Sequence, residues 1–414
     1  MLRSKAFDIN NLDIIFNEGK RMRRILFAHT GFGFHSMFNS ILEFPPKGYE
    51  FILPKKPISK KPQLSKKIRN AVPLKENSVR RLLWSQLRWY TEDLFKKTSI
   101  DADLIFSPHN LIYFKKKPWV VMIEFVGDVC PVIYDVKHLW LYKSFIEKAL
   151  SSKCCKKIMP YLCINKMTLF LSLNCERFKD KIEVVNLAVP PKKFEKEYGK
   201  DKISLLFLGT AHKSNIPKSF EERGGIEVLE AFEILNKRYN NLELVIRAAV
   251  PPYIHDKYSQ ILAKKNVKTF EQVLSREEWE HIMKNVDIFL FPGYIDPALT
   301  ILDAMSYELP VVATSWRGNR EMVKNGETGF LIRPHLRLKP NLILPYGWKK
   351  ILFARGPDMH VMKELVEKTS TLIEDEKLRR RMGIAGRREI ETGRFSIKKR
   401  NEKLKKIFDE AIGI

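Results

Sequence analysis

Short apolar runs of strand length recur through the first half of the sequence, separated by polar or glycine-containing stretches. Segments in which nearly every residue is apolar are typical of parallel strands covered by helices on both faces. We therefore predict an α/β lobe built on a parallel sheet. Its predicted strands are residues 24–28, 102–106, 119–123, 169–173 and 181–185.

The second half repeats this alternation of apolar runs and helical patterns. At 414 residues the chain exceeds what one hydrophobic core usually supports, and 44% hydrophobic residues allow ample burial in two lobes. The fold class predicted from both halves is α/β, with two Rossmann-like lobes. The predicted strands of the second lobe are residues 203–208, 287–292 and 309–314.

A charged stretch marked by prolines separates the two halves. Two consecutive prolines at 190–191 lead into a run of lysines and glutamates, a composition that is typical of a boundary between domains. We predict lobes at 1–196 and 197–395. A final helix at 396–414 follows, and Ser396 is its predicted cap.

The loop and helix between the strands 287–292 and 309–314 carry candidate chemistry. Asp296 followed by Pro297 is typical of a helix cap and a first helical residue. N–H groups in the first turn of such a helix can bind an anion such as a pyrophosphate. Asp303, further along, can accept both hydroxyls of a ribose, so the segment predicts a nucleotide pocket. The N–H groups predicted to bind the pyrophosphate are those of Ala298, Leu299 and Thr300.

This segment resembles the nucleotide-sugar signature of the retaining glycosyltransferases of family 4, also described as glycosyl transferases group 1. The sequence Asp-Ala-Met that begins at Asp303 matches the second acid of that signature. The first acid of the family lies eight positions earlier, where this sequence has Ile295, and Asp296 is one residue late. Two downstream glycine-containing motifs, at 318–323 and 326–332, continue the resemblance.

The resemblance implies the GT-B fold, in which two lobes face a cleft, with the terminal helix packing back near the first lobe. It implies a hexosyltransferase that moves a sugar from a nucleotide diphosphate donor to a hydroxyl of a glycan or lipid-linked acceptor, with retention of configuration and without a metal. The sequence has no His, Asp, Glu or Cys cluster with metal-ligand spacing. We therefore expect no metal and no cofactor beyond the donor.

A cation at the start of the first helix of the second lobe often neutralises the pyrophosphate in the family. Arg223, followed by two glycines, matches this position, and a guanidinium can contact a phosphate through two parallel hydrogen bonds. The companion arginine of the family falls on Thr210. The resemblance thus implies that His212 or Lys213 substitutes, or that the contact is absent. A solvated surface arginine is the alternative for Arg223.

The first lobe supplies the remaining candidates. Gly31 and Gly33 follow the first predicted strand, where the family has a loop facing the donor phosphates and the acceptor; a tight turn is the alternative. The family commonly has a histidine after the strand 119–123, where this sequence has Glu124. We predict that Glu124 contacts a sugar hydroxyl or assists deprotonation of the acceptor, the alternative being a structural carboxylate. His109 is a further cleft candidate, with a structural histidine as the alternative.

These expectations define a predicted site in both lobes. The predicted catalytic groups are Glu124, Arg223 and Asp296. The predicted nucleotide-sugar-binding residues are Gly31, Gly33, His212, Lys213, Arg223, Ala298, Leu299, Thr300 and Asp303.

Positive charge is the second unusual feature of the chain. The formal net charge is +26, and residues 51–97 hold thirteen Lys or Arg against three acids. A helix beginning near Ser78 would have an apolar face, a basic face and tryptophans near the boundary, a pattern that can lie on an anionic membrane. A solvated basic face is the alternative. No nucleic-acid-binding motif is present, so nucleic acid is not an expected partner.

The cysteines and the apolar runs bear on location. Five cysteines without a Cys-x-x-Cys pair favour a reducing cytoplasm over a disulfide framework or a zinc site. No apolar run reaches membrane-spanning length, and the N-terminus has no signal-peptide pattern. We expect a cytoplasmic enzyme, peripheral at the cytoplasmic membrane face.

Three other functions fit parts of the same pattern. A nucleotide-sugar epimerase or phosphorylase would keep the nucleotide or phosphate pocket and turn over without an acceptor. A catalytically silent GT-B scaffold is favoured by Ile295 and Glu124, which stand where the family has an acid and a histidine. A basic nucleic-acid-binding protein would bind oligonucleotides in a salt-sensitive manner.

Overall fold

The computed structural model describes eight parts of the chain. Nearly all of the basic segment 51–97 lies outside these parts, and so does the helix predicted to begin near Ser78. Four predicted site residues also lie outside them. The described residues are 22–28, 38–53, 101–109, 111, 117–129, 139–210, 219–334 and 356–414. The site residues outside them are Gly31, Gly33, His212 and Lys213.

The first lobe contains a parallel five-stranded sheet in the order β2-β1-β3-β4-β5. Three of the predicted strands, at 24–28, 102–106 and 119–123, correspond to β1, β3 and β4. The strands are β1 (Arg23–Phe27), β2 (Tyr49–Ile52), β3 (Leu104–Pro108), β4 (Trp119–Ile123) and β5 (Cys155–Pro160). Its helices are α1 (Asn39–Glu43), α2 (Leu139–Ser151) and α3 (Cys163–Ser172), with 3-10 turns at Val126–Val129, Cys175–Arg177 and Lys179–Lys181.

Two strand predictions in this lobe are wrong. Residues 169–173 belong largely to α3, because a short apolar run does not distinguish a strand from a helix. The α3 side chains buried at helical spacing include Ile164, Thr168 and Leu169, whereas Leu171 is exposed. Residues 181–185 form only an isolated bridge, with Glu183 N donating to Ile158 O beside β5.

The second lobe contains a parallel six-stranded sheet in the order β11-β10-β9-β6-β7-β8. The predicted strands at 203–208, 287–292 and 309–314 correspond to β6, β9 and β10. The strands are β6 (Ile203–Leu208), β7 (Leu242–Arg247), β8 (Val267–Phe270), β9 (Ile288–Phe291), β10 (Val311–Thr314) and β11 (Gly329–Ile332). The chain runs outward from β6 to β8 and then returns to the other side of β6, so the strand order reverses between β6 and β9.

Helices cover this second sheet. Every side chain of β6 and β9 is buried, as expected of a parallel sheet with both faces covered. The helices are α4 (Ser219–Glu222), α5 (Gly225–Arg238), α6 (Pro252–Lys257), α7 (Ser259–Leu262), α8 (Arg276–Asn285), α9 (Ala298–Ser306), α10 (Asn319–Met322), α11 (Met359–Glu374) and α12 (Glu376–Glu391).

The last helix, α13 (Ile397–Ile412), lies against the first lobe. Ser396 caps it by accepting a hydrogen bond from Lys399 N. The Phe408 ring packs edge-on against Tyr49, with 5.3 Å between centroids, and the buried Arg400 donates to the carbonyls of Ser40 and Phe44. The exact domain limits of 196 and 395 stay predictions. In the parts of the chain described above, no helix is long and apolar enough to cross a membrane.

Candidate functional site

The reversal of strand order between β6 and β9 positions the candidate site. In an open parallel sheet the loops after such neighbouring strands diverge and leave a crevice at their carboxyl ends. The loop after β6 begins at Gly209, and the loop after β9 begins at Pro292. Arg223, Asp296 and Asp303 lie on or near these loops, so the structure gathers these three predicted residues at one sheet edge.

Close backbone packing holds Arg223 at this edge. Gly224 has a φ of 84°, and an added Cβ there would lie 2.6 Å from the ring of Pro292, so glycine is required on both counts. Gly293 similarly approaches the backbone of Arg223, and Tyr294 N donates to Glu222 O at 2.8 Å. The loop before α5 is therefore locked onto the loop after β9.

The Arg223 guanidinium lies over the Phe291 ring, 5.9 Å from its centroid. Burial, and secondly the positive charge of Arg247, lower the pKa of Arg223 to about 10. Among the described residues no carboxylate forms an ion pair with it. Glu222 acts on it electrostatically without pairing with it, and a partly buried guanidinium without an ion-pair partner is stabilised by an anionic ligand.

The first turn of α9 offers a second anion-binding element. The helix begins at Ala298. Its first main-chain hydrogen bond joins Ile301 N to the carbonyl of Pro297, the residue before the helix, at 3.1 Å. The N–H groups before Ile301 therefore have no partner within the helix, as in any helix N-terminus. They are the groups that were predicted to meet a pyrophosphate, those of Ala298, Leu299 and Thr300, and all three residues are partly exposed.

The prediction that Asp296 caps α9 is wrong. Pro297 holds the cap position, and no side chain caps the helix. One Asp296 oxygen accepts a hydrogen bond from Gly318 N at 2.9 Å, and the other lies 3.0 Å from Arg317 Nε. Burial raises the pKa of Asp296, although Arg317 opposes this shift. These partners from the loop after β10 hold the Asp296 carboxylate, which therefore does not cap α9.

Asp303 lies about one turn into α9, and its carboxylate contacts one polar and one cationic side chain. Trp279 Nε1 donates to its Oδ2 at 3.4 Å, and Lys192 Nζ lies 3.3 Å from its Oδ1. The side chain is 27% exposed. The carboxylate is therefore oriented and reachable, but a ribose hydroxyl would have to share or replace the Lys192 contact.

Arg247 lies near these residues and was not singled out from the sequence. It ends β7, and its carbonyl accepts a hydrogen bond from Gly209 N at 2.9 Å, which ties it to the loop after β6. Its guanidinium lies 5.9 Å from the ring centroid of Trp279. The available signal was one arginine at the end of an apolar run and before two alanines.

The first lobe contributes two of its candidates to the corresponding sheet edge. Glu124 follows β4 directly, and His109 follows the neighbouring β3, with His109 N donating to Met122 O at 3.0 Å. His109 adopts a φ of 61°, which is uncommon for a residue with a side chain. A ring nitrogen of His109 hydrogen bonds with Tyr161 Oη at 2.5 Å. This contact fixes the imidazole at the carboxyl end of the first sheet.

Within the ranges that the structure describes, no group of three or more His, Cys, Asp or Glu side chains is arranged to hold a metal ion.

Comparison with known proteins finds a family match within the second lobe. Residues 205–337 match the family described as glycosyl transferases group 1. The capsular polysaccharide biosynthesis glycosyltransferase CapM of Staphylococcus aureus is 26% identical over 175 residues, which is 41% of this chain and 39% of CapM. The aligned region thus spans about two fifths of that curated relative. The finer prediction of family 4 stays a prediction.

Solved structures resemble nearly the whole chain. A glycosyltransferase from Rickettsia africae has a TM-score of 0.58 at 14% identity, covering 94% of this chain and 99% of that one. Sucrose-phosphate synthase from Thermosynechococcus elongatus has a TM-score of 0.60 at 13% identity, covering 94% and 98%. HepE of Anabaena, solved with UDP-glucose, has a TM-score of 0.57 at 13% identity, covering 94% and 99%. These similarities confirm the predicted fold class, two Rossmann-like lobes of the GT-B type.

Proposed function

We propose that this chain, which carries a glycosyl transferases group 1 domain on a GT-B fold, transfers a sugar from a nucleotide diphosphate donor to a hydroxyl of a glycan or lipid-linked acceptor. The observation that carries the proposal combines three groups: Arg223, which has no ion-pair partner among the described residues, the first turn of α9, whose N–H groups have no partner within the helix, and the oriented carboxylate of Asp303. The first two favour a diphosphate, and the third favours a ribose.

The proposed binding mode follows the order of these groups along the sheet edge. The diphosphate contacts Arg223 and the N–H groups at the start of α9, because both offer uncompensated positive charge or hydrogen-bond donors. Asp303 accepts the ribose hydroxyls after sharing or releasing Lys192, which pairs with it in the free protein. The sugar then extends toward the first lobe, where Glu124 and His109 directly follow two adjacent strands.

The chemistry proposed for this site needs only charge stabilisation and positioning. The bond between the anomeric carbon and the phosphate oxygen breaks, the bond to the acceptor oxygen forms, and the acceptor proton must leave. Arg223 stabilises the charge that develops on the departing diphosphate. Glu124 either contacts a sugar hydroxyl or helps to remove the acceptor proton. Retention of configuration and independence of metal are part of the proposal and rest on the resemblance to the family.

The relatives support particular probes for donor and acceptor. The HepE structure contains UDP-glucose, and CapM is described by its name as an enzyme of capsular polysaccharide biosynthesis. UDP-sugars are therefore the first donors to test, and polysaccharide precursors the first acceptors. The basic segment 51–97 supports a peripheral position on an anionic membrane on the cytoplasmic side.

A catalytically silent scaffold is the second candidate, and two observations favour it. Asp296 is already committed to Gly318 and Arg317, and Glu124 stands where the family has a histidine. Such a protein would bind the donor without turning it over.

The test begins with thermal stabilisation by UDP-, GDP-, ADP- and dTDP-sugars at fixed salt, because a ligand that prefers the folded state raises the melting temperature by mass action. Transfer from the selected donor is then measured with glycan and lipid-linked acceptors. A selective shift together with transfer supports the proposal. A shift without transfer or hydrolysis favours the scaffold, and turnover without acceptor favours an epimerase or phosphorylase. The absence of any shift in a folded sample contradicts a nucleotide-sugar site.

A further inference from the structure

Arg247 lies beside the proposed diphosphate site. It is at the end of a strand, whereas Arg223 lies in the loop before α5. Arg247 is the last residue of β7, which pairs with β6 at the centre of the sheet. An added Cβ on Gly209 would collide with Ala248, so the loop after β6 passes directly over the end of β7. The main chain at Arg247 is consequently fixed relative to the crevice.

The charge on Arg247 has no compensation within the described residues. Its Nε is buried and has no hydrogen-bond partner there, and no carboxylate in the same ranges forms an ion pair with its guanidinium. Burial lowers the pKa of Arg247. A desolvated, unpaired guanidinium destabilises a folded protein unless a ligand supplies the missing negative charge.

A second guanidinium faces the same space. The charge of Arg247 is close enough to lower the pKa of Arg223, in addition to the larger effect of burial. Two like charges held together in a partly buried place repel each other in the free protein. A ligand with more than one negative charge relieves both the desolvation and the repulsion, whereas an apolar or neutral ligand relieves neither.

The indole of Trp279 determines which part of a nucleotide Arg247 can reach. One face of the ring lies under the Arg247 guanidinium, at 5.9 Å from the centroid, while the indole N–H donates to Asp303. Trp279 therefore separates Arg247 from the carboxylate proposed to bind the ribose. Arg247 is thus near Arg223 through its charge and near Asp303 through the indole of Trp279.

We propose that Arg247 is a second diphosphate-binding residue, which together with Arg223 clamps the phosphates of the nucleotide donor. The guanidinium contacts phosphate oxygens, and its Nε and terminal nitrogens suit a bidentate contact. In the family, an arginine in the loop after β6 supplies this charge, but this sequence has Thr210 at that position. Arg247, at the end of β7, supplies the charge instead. This inference rests on the proposed function, because it assumes that a nucleoside diphosphate occupies the crevice.

The test compares nucleoside diphosphates with the matching monophosphates. Isothermal titration calorimetry at fixed salt on the full chain measures the binding of three nucleoside diphosphates, UDP, GDP and ADP. The matching monophosphates UMP, GMP and AMP are measured in the same way. The variant is Arg247→Gln, and the matched control is Arg238→Gln, an exposed arginine in the last turn of α5. Arg247→Lys keeps the charge but removes the bidentate geometry.

In Arg247→Gln we expect the affinity for the preferred diphosphate to fall about tenfold or more, as for loss of a charged hydrogen bond. The affinity for the monophosphate falls by a smaller factor, so the preference for diphosphate shrinks. Arg247→Lys keeps part of the preference, and Arg238→Gln changes nothing. The unliganded melting temperature of Arg247→Gln is equal to or above that of the native protein, because one of two repelling charges is gone.

Several results would overturn the assignment. Equal losses for diphosphate and monophosphate would place Arg247 at the base or ribose, and unchanged affinities would remove it from the site; either leaves the proposed function intact. A lower unliganded melting temperature would show that Arg247 is needed for folding, against the repulsion argument. If the native protein binds none of the nucleoside diphosphates, the inference fails together with the proposed function.

Discussion

Asp303 is oriented before any ligand arrives, because Trp279 donates to one of its oxygens and Lys192 pairs with the other. Such orientation lowers the entropy that is lost when the ribose hydroxyls bind. The same two contacts raise a competing possibility, in which Asp303 only joins Lys192 of the linker to α9. Removal of the carboxylate distinguishes the two roles.

We predict that Asp303→Ala weakens binding of the preferred nucleotide about tenfold or more, because two hydrogen bonds to a charged acceptor are lost. Titration calorimetry with UDP, or with the diphosphate that stabilises the native protein most, measures the effect. Glu277→Ala, an exposed acid on α8, is the matched control. Unchanged affinity in a folded Asp303→Ala protein would show that the carboxylate serves only the Lys192 contact.

Residue identities at the site were partly predictable from the sequence. Arg223 and Asp303 lie at the expected sheet edge because their local motifs, a glycine pair and an acid within a helix, determine their positions. Asp296 was assigned to the wrong partner, because a cap preference is local whereas Gly318 and Arg317 approach only in the folded chain. Arg247 carried no motif, and its importance depends on Trp279, which is brought near by tertiary structure.

At the scale of elements, the central strands of both sheets were predictable because each is a continuous apolar run. The segment 169–173 was not, since its helical state depends on contacts at its start. Asn165 Oδ1 accepts a hydrogen bond from Leu162 N, and Glu321 accepts from the first two N–H groups of α3. The second partner is more than 150 positions away in sequence and is invisible to a local pattern.

The packing of α5 against α11 contains a buried acid that yields a pH prediction. Glu227 is 3% exposed and accepts a hydrogen bond from Asp358 N at 3.2 Å. Burial raises the pKa of Glu227 from its ordinary 4.5 to about 7. Between these two pH values the unfolded chain releases this proton while the folded protein retains it, so the contribution of Glu227 to stability falls as the pH rises.

We predict that Glu227→Gln removes this loss. Relative to the native protein, the free energy of unfolding of the variant should increase from pH 5 to pH 8, by up to roughly 3 kcal/mol for a pKa difference of this size. Urea unfolding at both pH values measures it, with the exposed Glu277→Gln as the control. A difference between variant and native protein that does not change with pH would contradict the raised pKa.

At the scale of the whole molecule, the two lobes are joined by more than the linker. One buried cluster extends from Phe106 in the first sheet through Val189 to Ile301 in α9. A polar contact adds to it, because Glu321 of the second lobe accepts hydrogen bonds from Cys163 N and Ile164 N of α3, both at 2.7 Å. A carboxylate at a helix N-terminus is favoured by the helix dipole.

We predict that Glu321→Ala weakens this connection between the lobes. The amides at the start of α3 should exchange with solvent about tenfold faster or more, since each loses a hydrogen bond to a charged acceptor. Hydrogen exchange followed by mass spectrometry of a peptide that covers residues 163–168 measures the change. Glu327→Ala, an exposed acid of the same lobe that pairs with Lys324, is the control. Equal protection in both variants would mean that apolar packing alone holds the lobes at this point.

The positive charge of the molecule is distributed over at least two regions, and membrane binding can be assigned to one of them. The first is the segment 51–97, most of which lies outside the described residues. The second is the exposed face of α12 around Ile384, which is 38% exposed. Its basic side chains are Lys377, Arg380, Arg381 and Arg388. Both regions could attract anionic lipid, so substitutions in each must be compared.

We predict that reversing four charges in the first region abolishes sedimentation with vesicles that contain anionic lipid. Each basic residue near such a surface contributes about 1 kcal/mol, so replacing four by glutamate should weaken binding by roughly a thousandfold or more. The matched control reverses the four basic residues of α12. Retained sedimentation in the first variant and loss in the second would move the membrane-facing surface to the second lobe, and retention in both would contradict electrostatic attachment by either region. The first set is Lys60, Lys61, Lys66 and Lys67.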